Sequence, residues 1–196
     1  VNVLYLPGGG SSRANYPYDK ILRKVQRRGH KTTFCPITWR GTNIHDWVEE
    51  VRPTYRQHDP AQTILVGFSF GAMTALLLTA ECPPAGLILC SLSPYFAEDL
   101  PFIPARWVRR LNPRRRAAFE KLHFSDYGTQ IACPTRLVTA SLETEWLQQR
   151  TRAVRDSIPG AHILIAQGVG HEPAAWPYVQ TLDKTFDSLR TEVPLA

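Results

Sequence analysis

The chain predicts an α/β fold: an open, mostly parallel sheet of about six strands with helices on both faces. Three observations predict it. Short apolar, β-branched runs alternate with helix-like stretches along all 196 residues, which is the rhythm of repeated strand-helix-strand units. The run Gly86 to Leu92 is close to continuously apolar, as parallel strands covered on both sides are. A serine flanked by glycines, Gly67-Phe68-Ser69-Phe70-Gly71, joins a strand-like run to a helix-like one.

Taken in order, Val3 to Pro7 is the first strand, followed by a loop, Gly8-Gly9-Gly10-Ser11-Ser12, rich in unhindered backbone N–H groups. Tyr18 to Arg28 carries Ile21, Leu22 and Val25 between lysines and arginines, the pattern of a surface helix, and Gly29 stops it. Lys31 to Ile37 is the second strand. Asn43 is an N-cap for a helix from Ile44 to about Gln57, with Pro53 expected to kink or shorten it. Gln62 to Val66 is a strand, Phe70 to Cys82 a helix closed by Pro83-Pro84, and Gly86 to Leu92 the fourth strand. The rhythm then breaks. Ser93 to Cys133 holds scattered prolines and no strand, and two short helices, Pro104 to Leu111 and Pro113 to His123, are expected in it. It resumes with a strand at Thr135 to Ala140, a helix at Glu145 to Asp156, a strand at His162 to Ala166 and a helix at Ala174 to Leu189.

This length suits one domain, with 93–133 as an insertion. No apolar run approaches the roughly 20 residues of a membrane span, and the amino end reads as a strand, so a cytoplasmic protein is expected. Cys35, Cys82, Cys90 and Cys133 form no C-x-x-C pair and read as reduced thiols. No metal-ligand spacing occurs: His171-Glu172 begins like a zinc-protease helix, but position 175 is alanine. The net charge of +6 is concentrated between Arg106 and Lys121, where seven basic residues face one acid, Glu120. A solvated helix face is the plain account of that cluster. Attraction of an anionic substrate or an acidic membrane surface is a second account. Specific nucleic-acid binding is not expected, because no recognition motif accompanies the charge.

The chemistry centres on Ser69. A plain N-cap would explain the serine but not glycines on both sides of it, which let a strand and a helix pass where a Cβ would collide. A serine hydroxyl needs a base to take its proton, and the base needs a carboxylate to hold it. His171 follows the last strand in Gly168-Val169-Gly170-His171 and so hangs over the sheet edge that carries Ser69. His30, His45, His58, His123 and His162 fall on helix ends, helix faces, the insertion or the opposite edge. After the strand ending at Ala140, Glu143 and Glu145 are the candidate acids, and Glu143 is nearer the strand end. Glu98 and Asp99 are weaker rivals.

The order Ser69, Glu143, His171, with GFSFG around the serine, ASLE ending at Glu143, GVGH ending at His171 and PGGG after the first strand, resembles the α/β-hydrolase family over most of the chain. The match is to a small member: the opening antiparallel strands are missing, proline-glycine stands for the usual histidine-glycine after the first strand, and the acid is glutamate rather than the commoner aspartate. The resemblance implies a Ser-His-Glu triad and an oxyanion hole from the N–H groups of Gly9 and Phe70. It also implies a lid formed by 93–133, with Trp107, Val108, Leu111, Phe119, Leu122 and Phe124 facing the pocket and the arginines facing out. The activity it implies is cleavage of a carboxylic ester of a small-molecule acyl substrate, with no metal or cofactor. An acyltransferase built on the same triad, and a non-catalytic ligand-binding protein of the same fold, are the other readings.

Overall fold

A computed structural model of the protein, described here over residues 1–10 and 18–190, contains one six-stranded sheet in the order β2-β1-β3-β4-β5-β6. Its strands are β1 (Asn2–Leu6), β2 (Lys31–Phe34), β3 (Thr63–Phe68), β4 (Gly86–Cys90), β5 (Thr135–Ala140) and β6 (His162–Ala166). Every neighbouring pair is parallel, so the sheet is parallel throughout. The helices are α1 (Tyr18–Arg27), α2 (Ile44–Arg56), α3 (Phe70–Glu81), α4 (Ala105–Val108), α5 (Pro113–Phe119), α6 (Ser125–Gly128), α7 (Glu145–Ser157) and α8 (Trp176–Arg190). Ser11 and Ser12 of the expected glycine-rich loop lie outside the described residues.

Strand alternation sorts the core into two halves. Leu4 and Leu6 of β1 join Trp47, Val48 and Val51 of α2, most of α3 and Val154 of α7 on one side. Val3 and Tyr5 of the same strand join Ile21, Leu22 and Val25 of α1 and Leu182, Phe186 and Leu189 of α8 on the other. Successive strand residues point to opposite faces, so a single run such as Asn2–Leu6 feeds both halves. Trp47 is fully buried, and truncating such a residue costs about 3–5 kcal/mol. The helix α3 is buried on nearly every side, which explains why it is apolar all round rather than striped.

Several expected boundaries shift for identifiable reasons. β3 runs on through Gly67 and Phe68, so the strand supplies the first two residues of the GFSFG motif. β4 stops at Cys90 because Ser91 turns into a left-handed conformation, φ 47°. Pro53 does not end α2. The helix continues to Arg56, since Pro53 lies on its exposed side, where water satisfies the carbonyl that loses a donor. A capping box between Asn43 and Asp46 fixes its start. The segment 93–133 holds a 3-10 turn at Leu100–Phe102 and three short helices, α4 to α6, with α6 unforeseen from sequence. Cys82 is exposed, whereas Cys35, Cys90 and Cys133 are buried, and all four are free thiols. Among the described residues no helix is long and apolar enough to cross a membrane.

Candidate active site

β1 grows the sheet in both directions: β2 adds on one side and β3 on the other. Open parallel sheets bind ligands above the carboxyl ends of their strands at such a reversal. Here Gly8 and Gly9 leave β1 at that edge, and Ser69 leaves β3 beside them.

Ser69 has φ 56° and ψ −117°, a conformation that L-residues rarely adopt and that costs about 1–3 kcal/mol. Three close approaches hold it. A Cβ on Gly67 would lie 2.3 Å from the Gly71 carbonyl oxygen, and one on Gly71 would lie 2.3 Å from the Pro7 carbonyl oxygen. The first approach keeps α3 tight against its own strand; the second wedges α3 under the end of β1. A Cβ on Gly9 would meet the Phe70 ring at 2.4 Å, so the Phe70 side chain packs directly on the Gly9 backbone. Phe70 opens α3, where no preceding turn accepts its N–H.

His171 Nδ1 lies 3.0 Å from Glu143 Oε1, which leaves Nε2 as the nitrogen not engaged by the carboxylate. The imidazole packs on Phe68, ring centroids 4.7 Å apart, directly before Ser69. The Glu143 side chain is 1% exposed. Burial pushes its carboxyl up, but hydrogen bonds from His171, Ser91, Thr139 and the Ala140 N–H outweigh this and hold it below the ordinary glutamate value. Thr139 Oγ1 donates at 2.5 Å and Ala140 N at 3.2 Å, both to Oε2. Ser91 in turn lies 2.7 Å from the hydroxyl of Tyr178, which donates to the Val138 carbonyl at 3.2 Å. Tyr178 is fully buried.

The Ser69 hydroxyl is 3.0 Å from Ser93 Oγ and is not hydrogen-bonded to His171 in this geometry. Ser69, Glu143 and His171 nevertheless line one cavity of about 310 Å³, together with Ser93, Tyr95, Trp107 and Trp146. Of the nearby aromatic residues, Tyr95, Trp107 and Trp146 line this cavity. Trp39 packs instead on Trp47 and Phe70. Phe96 is buried, and Trp176 borders a different cavity.

The other candidate acids are engaged elsewhere. Glu145 is exposed and bonds Arg152. Glu98 accepts the Phe124 N–H. Asp99 takes both Nε and Nη2 of Arg150, at 2.7 and 2.5 Å, and the Arg150 guanidinium lies 5.0 and 5.1 Å from the centres of the Phe96 and Phe124 rings. The expectation that the arginines of the insertion all face out is wrong for Arg115. It turns inward over Trp47, 4.9 Å away, and donates to the Trp39 carbonyl at 2.5 Å. Burial lowers its pKa. Likewise Phe119, Leu122 and Phe124 are core residues rather than pocket lining, while Trp107 does line the cavity.

Ser93 and Ser91 escaped the sequence reading, yet they directly follow β4 at the edge that carries Ser69, and that position was the available signal. Tyr178 gives none, because it lies inside α8 and meets Ser91 only through the packing of that helix.

The profile of the Alpha/beta hydrolase family matches residues 3–193, and the chain belongs to that family. Solved structures agree on the fold at low identity. Est1E from Butyrivibrio proteoclasticus, in a structure with ferulic acid bound, superposes with a TM-score of 0.81 at 11% identity, covering 100% of this chain and 90% of that one. Alpha/beta hydrolase domain-containing protein 10 from mouse gives 0.75 at 16% identity, covering 97% and 90%. A bromoperoxidase from Bacillus anthracis gives 0.72 at 12% identity, covering 97% and 92%. Among curated proteins nothing matches it.

Proposed function

We propose that the protein is a serine hydrolase that cleaves carboxylic esters through Ser69, His171 and Glu143. The observation that carries this reading is the 3.0 Å hydrogen bond between His171 Nδ1 and the buried Glu143 carboxylate, opening on the cavity that also holds the strained Ser69. Catalysis requires the Ser69 hydroxyl to leave Ser93 for His171 Nε2, a tightening that catalytic contacts often undergo only when substrate is bound. His171 then takes the proton as Ser69 attacks the carbonyl carbon, and Glu143 steadies the imidazole tautomer and its cation. The N–H groups of Gly9 and Phe70 receive the negative oxygen, where one such donor is worth about 2.7–4 kcal/mol of barrier. His171 next protonates the departing alcohol. The same imidazole activates water to release the acid and restore Ser69.

Residues 93–133 act as a lid in this reading, with Ser93, Pro94, Tyr95 and Trp107 as their contribution to the cavity. A volume near the lower end of the usual 300–1,000 Å³ for ligand sites, roughly, and walls that include Tyr95, Trp107 and Trp146 favour a short or aromatic acyl group. The ferulic acid in the Est1E structure supports the aromatic choice.

The test is a panel of nitrophenyl esters of graded acyl length and of aromatic acids, hydrolysed by the wild type and by Ser69→Ala. Cleavage by the wild type, and its loss in a variant with unchanged melting temperature, is the expected result. Turnover near wild type in Ser69→Ala removes the proposal.

A further inference from the structure

A second cavity lies away from the candidate active site and shares no lining residue with it. It measures about 610 Å³ and sits between α1 and α8. Five of its walls are cations: Lys20, Arg23, Lys24 and Arg27 at helical spacing on α1, and Arg28 directly after its end. Positions three and four apart share one helix face, where like charges repel, so this stripe works against the helix unless something negative meets it. α8 answers part of it. Asp183 pairs with Lys24 at 3.2 Å and with Arg28, and Asp187 takes the rest of the Arg28 guanidinium. Lys20, Arg23 and Arg27 are exposed and have no acidic partner among the described residues. Arg23 spends only its Nε, on the Asp19 carbonyl.

A second feature points to the shape of what would neutralise them. Trp176, at the start of α8, is 63% exposed and borders the same cavity, and the Lys24 ammonium lies 5.0 Å from the centre of its ring. An exposed indole beside unpaired guanidinium groups offers a flat apolar contact next to forks that match phosphate oxygens. From Lys20 to Arg27 the three unpaired cations extend over about 10 Å of helix, too far for one carboxylate and suited to a chain of anionic centres.

We propose that the α1/α8 cavity binds a nucleotide-sized small molecule, with a di- or triphosphate group on Lys20, Arg23 and Arg27 and a flat ring on Trp176. The site needs nothing from Ser69, so it stands or falls separately from ester cleavage.

Calorimetric titration of the full chain at about 0.1 M salt, where long-range attraction is screened, tests it with ATP, inorganic pyrophosphate and adenosine. ATP saturates one site, pyrophosphate binds it more weakly, and adenosine gives no measurable heat. Lys20→Gln/Arg23→Gln/Arg27→Gln weakens ATP by about tenfold or more, the cost of losing charge-assisted contacts. Arg106→Gln/Arg109→Gln/Arg110→Gln, which removes the same charge from the lid segment, changes it by less than about twofold. Trp176→Ala brings ATP down to the affinity of pyrophosphate. The proposal is overturned if neither phosphate compound saturates, if both triple variants lose equally, or if ATP and pyrophosphate bind the wild type alike. Sedimentation with phosphatidylserine vesicles, in the absence of soluble phosphate binding, overturns it in favour of a lipid surface.

Discussion

Gly71→Ala joins the packing of the fold to the proposed chemistry in one atom. The new Cβ would lie 2.3 Å from the Pro7 carbonyl oxygen and 2.4 Å from that of Leu6. Real Cβ contacts stay beyond 3.0 Å, so β1 and α3 must part by at least about 0.7 Å. Neither obstacle is a flexible side chain. The strain therefore falls on the peptide that leads directly into Gly8 and Gly9, or on the start of α3 that carries the Phe70 N–H. Overpacking of this kind costs about 1–3 kcal/mol, which for a chain of this size lowers the melting temperature by roughly 2–12 °C. A misplacement approaching 1 Å in a catalytic group costs up to about a hundredfold in rate. We expect kcat with a nitrophenyl ester to fall ten- to a hundredfold, roughly, with KM changed much less, because oxyanion contacts act in the transition state. Gly86→Ala is the control, since its Cβ would meet only the Leu189 and Ile64 side chains at 3.6 and 3.7 Å, and it leaves kcat unchanged. A Gly71→Ala enzyme with kcat within about twofold of wild type refutes the link between this contact and the oxyanion hole.

Three further outcomes follow from the site and its supports. Glu143→Gln lowers kcat by about three to four orders of magnitude, as expected for the carboxylate of a triad. The folded-state pKa of Glu143 is depressed, so its stabilisation is present above the ordinary glutamate value of about 4.3 and is lost as pH falls through the folded value. The melting temperature of the variant should therefore fall less steeply than that of wild type below about pH 5. Tyr178→Phe removes the hydroxyl that holds Ser91; we expect about 1–2 kcal/mol of destabilisation and a smaller rate loss than Glu143→Gln, read by thermal melts and ester kinetics. Arg150→Ala leaves Asp99 half-buried without its partner and costs about 3 kcal/mol, measured by denaturant unfolding, because the salt bridge and the two ring contacts tie the start of the 93–133 segment to α7.

The layout of the sheet was legible because its determinants are local and periodic. Apolar runs such as Gly86 to Cys90, glycine and proline punctuation and the Asn43 cap each act within a few residues. The edge bearing the site was legible for the same reason, since parallel strands put every following loop on one side, and Ser69, Glu143 and His171 all follow strands. What stayed hidden depends on tertiary packing. Arg115 looks like one more solvated cation in a basic run, yet α5 docks against α2 and turns it onto Trp47. The Ser69 hydroxyl meets Ser93 because Ser91 twists the chain at the end of β4, which no local pattern announces. Pro53 signals a helix end in sequence, but the apolar face of α2 buries Trp47, Val51 and Tyr55 and outweighs one missing hydrogen bond.

The most direct measurement is mass spectrometry of the protein after reaction with a fluorophosphonate, which traps a serine only when a base has activated it. We predict a single adduct, on the peptide containing Ser69, that is lost in His171→Ala while the variant stays folded. An unlabelled wild type, or an adduct on Ser69 that survives the loss of His171, contradicts the account.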